Sequence, residues 1–183
     1  MEPLLIQPLL GFLILLALFW LVLRRAGRFL AQTRDVERFR RQVGDLVKRV
    51  EHSLAEVSSR VDAVRRGSLS ADALGDDLTA SLDAVALYAG EAKALRPPAA
   101  AKAIQDEIVG ELERAARALE MIEHGRSIQT SVRAGGRELE AQTSIKRGYL
   151  NVLHAREAIA RQAQAAAALS VADAANRIQR RNV

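Results

Sequence analysis

An apolar run of twenty residues near the amino terminus constrains this 183-residue chain more than any other feature. Residues 4–23 read LLIQPLLGFLILLALFWLVL and contain one polar side chain, Gln7. A helix of this length spans roughly 30 Å, the thickness of the hydrocarbon core of a bilayer. Pro8 lies in its first turns, where a missing N–H costs least. The run predicts a single transmembrane helix over 4–23, preceded by a short extracytoplasmic terminus at 1–3.

Two other interpretations of the run fit less well. A cleaved signal peptide begins with positive charge and ends in a small-residue site, whereas this chain begins with Met1-Glu2-Pro3 and its run ends at Arg24-Arg25. A helix inside a globular core would need cover on every side of the fifteen apolar or small residues at 9–23. The sequence therefore favours an uncleaved signal-anchor.

A basic juxtamembrane segment follows the run. Residues 24–41 hold seven arginines against Asp35 and Glu37, while residues 1–3 hold no lysine or arginine. Because positive charge stays on the cytoplasmic side, we expect the N-terminus outside and residues 24–183 in the cytoplasm of a single-pass cell-membrane protein. The residues expected at the membrane surface are Trp20, Arg24, Arg25 and Arg28. These arginines could contact anionic headgroups or merely fix the topology.

The rest of the chain favours helix. Aromatic residues make up 4%, proline occurs four times, and alanine and long straight-chain residues are abundant. The fold class predicted is all-α, a single N-terminal transmembrane helix followed by an antiparallel bundle or coiled coil of about four helices. Turn signals at Gly67, Pro97-Pro98 and Gly135-Gly136 place the cytoplasmic helices at about 24–66, 70–96, 98–133 and 137–169, with a short helix at 171–181.

The first cytoplasmic helix carries apolar residues in steps of three and four, which is the pattern of a coiled-coil seam. The seam comprises Val36, Phe39, Val43, Leu46, Val50, Leu54, Val57, Val61 and Val64. It could face helices of its own chain or a second copy. If the bundle is antiparallel and stands on the bilayer, the C-terminal Arg177, Arg180 and Arg181 return to the lipid surface.

No catalytic, cofactor or metal site is predicted. The chain has no cysteine, which excludes disulfides, thiolate nucleophiles and cysteine-ligated metals. The histidines, which are His52, His124 and His154, are isolated and form no metal-binding pair. The densest acidic group, Asp106, Glu107, Glu111 and Glu113, is interpreted as a solvated helix face followed by balancing arginines. Glycine-rich phosphate-binding loops are also missing from the sequence.

Charge outside residues 24–41 argues against nucleic acid as a partner. There, 20 basic residues balance 20 acidic ones. Nucleic-acid binding needs basic charge gathered on one accessible face. The partners expected are the lipid bilayer and a protein or second copy of the chain; no small-molecule substrate is identified.

One short motif suggests a modification. Residues 65–69, RRGSL, resemble the sites of kinases that select basic residues, with Ser68 as a possible phosphosite. The simpler interpretation is an inter-helix turn in which Ser68 or Ser70 is the N-cap of the next helix.

Three functions remain open. The first is a non-catalytic membrane-anchored scaffold or interaction protein at the cytoplasmic membrane face. The second is an accessory subunit of a larger membrane complex, since the layout resembles that of peripheral-stalk b subunits of rotary ATP synthases and of LemA-type proteins. The third is a helical-bundle enzyme or sensor, for which the sequence offers no site residues.

Overall fold

Four α-helices account for most of the chain. The computed structural model describes residues 6–131 and 136–169, without the side chains of 6–11, 14, 22 and 25–32. The helices are α1 (Ile6–Arg65), α2 (Gly75–Ala94), α3 (Lys102–Thr130) and α4 (Glu138–Ala167), and 3₁₀ turns at Asp72–Leu74 and Ala99–Ala101 precede α2 and α3. These described ranges contain no strand. The prediction of an all-α helical bundle is confirmed.

The order of the contacts along α1 and α2 makes these helices antiparallel. The Arg49 side chain binds Glu91 near the end of α2, and Arg60 binds Asp77 near its beginning. Helix α3 contacts α2 and α4, and α1 contacts the same two helices. The four helices therefore form a ring in which α1 and α3 lie across from each other.

A continuous apolar core fills this ring. Each helix contributes one stripe of residues spaced three or four apart, as expected for amphipathic helices. The largest fully buried side chains include Phe39, Leu54, Leu78, Ile122 and Ile159. Burying a side chain of this size contributes about 1.5–3 kcal/mol.

Small residues bring α3 and α4 into the most extensive helix contact of the bundle. Ala118 and Gly125 of α3 and Ala141 and Gly148 of α4 are buried where the two helices pack. A Cβ added at either glycine would come within 3 Å of the facing helix. The α3–α4 hairpin is thus held at a backbone separation that larger residues would not permit.

Gly67 ends α1 in the left-handed conformation, with φ at +74°. The Gly67 amide donates to the carbonyl oxygen of Val64, and the Ser68 amide donates to that of Ala63, which is the Schellman arrangement. The Ser68 hydroxyl also donates to Ala63 O, at 3.0 Å. The expectation that Ser68 or Ser70 is the N-cap of α2 is therefore wrong, because Leu74 occupies that position and the Ser68 hydroxyl completes the end of α1.

Helices α2 and α3 begin later than expected. Helix α2 begins at Gly75, after a 3₁₀ turn fixed by the fully buried Leu74. Helix α3 begins at Lys102 and not at Pro98, which is extended with ψ at 155°. The 3₁₀ turn at Ala99–Ala101, in which Ala100 and Ala101 are buried, takes the place of the first helical turn.

Several expectations lie outside the described residues. These are the terminus at 1–3, Gly135, the short helix at 171–181, and the arginine cluster of Arg177, Arg180 and Arg181. Of the transmembrane helix expected at 4–23, residues 4 and 5 also lie outside the described residues, and the side chains of 6–11, 14 and 22 are not described. Among the residues that are described, no helix is long and apolar enough to cross a membrane.

Candidate functional site

The amino-terminal part of α1 exposes an apolar segment, residues 12–23. Successive residues of an α-helix are about 100° apart, so exposed neighbours in sequence cover every side of it. The large apolar side chains described here are between 48 and 67% exposed: Phe12, Leu13, Leu15, Leu16, Leu18, Phe19, Trp20, Leu21 and Leu23. In water, exposed apolar surface of this kind is unfavourable by roughly 25 cal/mol per Å².

The carboxyl end of the apolar segment is marked by an aromatic–cation contact. The guanidinium of Arg24 lies 5.1 Å from the ring centroid of Trp20, and both side chains are exposed. Such a pair combines an apolar ring with a charged group, as membrane–water interfaces favour. Of the four residues predicted to contact the membrane surface, Arg25 and Arg28 have side chains outside the described set.

The seam residues of α1 lie inside the bundle of their own chain. The eight residues from Val36 to Val61 in the predicted seam are buried, and Val64 is partly buried against the same core. Val36 is the first buried residue of α1 among those described. At 1.5 Å per residue, it lies about 18 Å along the helix from Arg24. The bundle therefore begins well beyond the end of the apolar segment.

A polar cluster joins α1 to α2. The Arg49 guanidinium donates to both carboxylate oxygens of Glu91 and lies 5.4 Å from the ring centroid of Tyr88. The Tyr88 hydroxyl is 3.2 Å from the hydroxyl of Ser53. The hydrogen bond from Arg49 lowers the pKa of the Glu91 carboxyl and raises that of the guanidinium. This cluster supplements the α1–α2 interface, which is less extensive than the α3–α4 interface.

An open groove of about 870 Å³ lies beside this cluster, between α1 and the connection from α2 to α3. Its apolar floor includes Leu46, Leu95 and the Pro97–Pro98 turn. Charged residues of both signs surround it, which are Asp35, Arg38, Asp45, Arg49, Glu91 and Arg96. The groove is open and its charges are balanced, so it presents a mixed apolar and charged surface.

The three histidines remain apart. His52, His124 and His154 are exposed on α1, α3 and α4. Within residues 6–131 and 136–169, no three histidine or acidic side chains come together as a metal-binding group.

The acidic group on α3 is not uniformly solvated, which corrects the sequence interpretation for one member. Asp106, Glu107 and Glu113 are exposed, but the side chain of Glu111 is only 9% exposed. Its Oε1 lies 3.0 Å from Arg114, while its Oε2 is buried without a hydrogen-bond partner among the described residues. Glu111 and Ala115, Ala118, Ile122 and Gly125 share the three–four spacing of the α3 stripe, a signal that identifies its buried position.

A second residue missed from sequence is Gln105. It is 3% exposed, and its Nε2 donates to the carbonyl oxygens of Ala92, Lys93 and Leu95 at 2.8, 3.2 and 2.9 Å. These carbonyls lie at the end of α2, where backbone donors are scarce, although Ala92 O also accepts from the Leu95 amide at 3.4 Å. Gln105 is thus a C-terminal cap supplied by the neighbouring helix.

Comparison with known proteins gives no relative for this arrangement. No family model matches the chain, and searches of curated proteins and of solved structures find no significant similarity.

Proposed function

We propose that this protein is a non-catalytic, single-pass membrane scaffold that holds a helical bundle at the cytoplasmic face and offers it to protein partners. The observation that supports this most is the division of α1. One unbroken helix exposes apolar side chains on all sides at residues 12–23 and buries a single stripe from Val36 onward. The first pattern suits lipid, and the second suits a water-facing bundle.

The proposed membrane anchor includes residues N-terminal to the apolar segment at 12–23. Residues 12–23 correspond to about 18 Å of helix, which is shorter than a hydrocarbon core of about 30 Å. The proposal adds the apolar residues at 4–11, whose character is known from sequence. Together they supply the length that a span requires.

The proposed orientation rests on charge. Arg24, Arg25, Arg28 and Arg34 follow the apolar segment, and residues 1–3 contain no basic side chain. With these arginines at the cytoplasmic headgroups, the bundle lies in the cytoplasm. Because α1 continues for about 18 Å before Val36, the bundle stands off the membrane on a helical stalk.

The same apolar segment supports a second candidate, an accessory subunit of a larger membrane complex. Leu16, Phe19 and Trp20 are exposed on one side of α1, because residues three and four apart share a helix face, and they could pack against a neighbouring transmembrane helix. Co-purification of membrane subunits at fixed stoichiometry in mild detergent would favour this candidate. Recovery of the chain alone or with partners bound to its bundle would favour the scaffold.

Membrane insertion is tested by paired leucine-to-arginine variants. Leu15→Arg/Leu18→Arg adds two charges to the apolar segment, each costing about 2.5–3.5 kcal/mol at a bilayer centre. We expect the wild-type chain to stay in the membrane pellet after alkaline washing and the double variant to move to the supernatant. Leu87→Arg is the control, since Leu87 is equally exposed, at 61%, but lies on the bundle. Release of the wild-type chain by the wash would contradict the proposal.

A further inference from the structure

The turn that follows α1 presents a serine hydroxyl beside two arginines. Arg65 is the last residue of α1, Arg66 and Gly67 follow, and Ser68 is exposed. Gly67 adopts φ +74°, and the chain stays irregular through Ser70. The hydroxyl therefore lies at a surface turn and not within a helix.

The two arginines differ in how available they are for recognition. The side chain of Arg66 is 69% exposed, and its ion-pair partner is Asp62, one turn back on α1. Arg65 also binds Asp62, at 3.3 Å. The Arg65–Asp62 pair is half-buried, with both side chains 31% exposed, and the Arg65 guanidinium also contacts the ring of Tyr149. An exposed pair such as Arg66–Asp62 contributes little, typically about 0–1 kcal/mol, so a kinase can bind Arg66 directly and Arg65 once the turn opens.

Access of an enzyme to the turn requires little unfolding. Two amide hydrogen bonds hold Gly67 and Ser68 to the last turn of α1, and the Ser68 hydroxyl adds a third. Turns and frayed helix ends open at low free-energy cost compared with the core. The segment can thus become extended while the bundle remains folded.

We propose that Ser68 is a phosphorylation site for a protein kinase that selects arginines two and three residues before its acceptor. The Ser68 Oγ forms a bond to the γ-phosphorus of ATP as the bond from that phosphorus to the β,γ-bridging oxygen breaks. The hydroxyl proton passes to the kinase base, and ADP leaves.

The modification changes the end of α1. A phosphorylated Ser68 loses the hydroxyl proton that it donates to Ala63 O and places negative charge at the negative end of the helix dipole. The phosphate also attracts Arg65, whose guanidinium lies 4.6 Å from the ring centroid of Tyr149 on α4. Phosphorylation therefore loosens the last turn of α1 and its contact with α4.

The site is tested on the purified full-length chain in detergent micelles, with a basophilic kinase and labelled ATP. We expect one phosphoryl group on Ser68, its loss in Ser68→Ala, and its retention in Ser70→Ala. A synthetic peptide of residues 63–72 verifies that the kinase is active. Labelling of the peptide without labelling of the folded chain, or unchanged labelling of Ser68→Ala, would overturn the assignment.

Amide hydrogen exchange then tests the consequence. In the phosphorylated chain, exchange at residues 62–66 should become faster, while exchange at the α3–α4 crossing should not change. Unchanged exchange at residues 62–66 in stoichiometrically phosphorylated protein would refute the claim that phosphorylation loosens the last turn of α1. Neither experiment depends on membrane orientation. Failure of the phosphorylation proposal is therefore distinguishable from failure of the membrane-anchor proposal.

Discussion

Gly148 of α4 lies so close to Ala118 of α3 that a Cβ on the glycine would be 2.6 Å from the Ala118 carbonyl oxygen. The clashing atom would be a backbone oxygen, which cannot move away by changing rotamer as a long side chain can. This contact fixes the separation of α3 and α4. Because these two helices make the most extensive contact of the bundle, the fold depends on it.

The first prediction concerns this contact. Gly148→Ala should lower the free energy of unfolding by about 1–3 kcal/mol, since the added methyl forces the helices apart. The matched control is Gly110→Ala on α3, where an added Cβ meets nothing within 4 Å. That variant should be more stable by about 0.5–1 kcal/mol, because alanine favours helix over glycine. Thermal unfolding of both variants in micelles, followed by circular dichroism, compares them; equal effects would contradict the packing described.

The second prediction concerns the cap on α2. Gln105→Met leaves three carbonyl oxygens at the end of α2 without the Nε2 donor, and we expect a loss of about 1–3 kcal/mol in the free energy of unfolding. Gln129→Met, at an exposed position of the same helix, should change stability by less than about 0.5 kcal/mol. Urea unfolding in micelles measures both. If Gln105→Met unfolds like Gln129→Met, the cap contributes nothing.

The third prediction distinguishes the two members of a half-buried ion pair. Glu111→Met removes a buried carboxylate that has one unpartnered oxygen, so stability should rise or stay within about 1 kcal/mol of wild type. Arg114→Met should be destabilising, because the carboxylate then stays buried without its cation. The two melting temperatures are measured at neutral pH. A destabilised Glu111→Met beside a neutral Arg114→Met would contradict this assignment.

The fourth prediction concerns pH. The hydrogen bond from Arg49 lowers the folded-state pKa of Glu91, so the stability it contributes is present above the ordinary glutamate pKa. It is lost as the pH falls from about 4.3 through the lowered folded value. Glu91→Gln should therefore be less stable than wild type at pH 7, and the difference should shrink toward pH 3. Melting temperatures measured across this range would refute the effect if the difference stayed constant.

The parts of this fold that follow from sequence are those governed by local spacing. Burial along α1 from Val36 to Val61 follows the apolar spacing of three and four residues, since that period is the geometry of the helix itself. Gly67 ends α1 with φ at +74°, a backbone conformation that is unfavourable for residues with a Cβ and favourable for glycine. Neither feature requires knowledge of the neighbouring helices.

The features missed from sequence depend on contacts between helices. Gln105 acts on the end of α2 only because α3 folds back against it. Glu111 differs, since the three–four spacing of the α3 stripe already indicates its buried position. Ser68 or Ser70 was expected as the N-cap of α2, but the Ser68 hydroxyl instead completes α1, since a serine between two helices can cap either one. Charge and periodicity alone do not decide such cases.

The central claim, an anchored bundle in the cytoplasm, is tested most directly by labelling a single cysteine. The chain has none, so His124→Cys places one exposed thiol on α3 without any other change. Spheroplasts of an expressing bacterium, intact and then lysed, are treated with a membrane-impermeant maleimide. The account predicts labelling after lysis only, on a chain that stays in the membrane pellet. Labelling in intact spheroplasts would place the bundle outside the cytoplasm and contradict it.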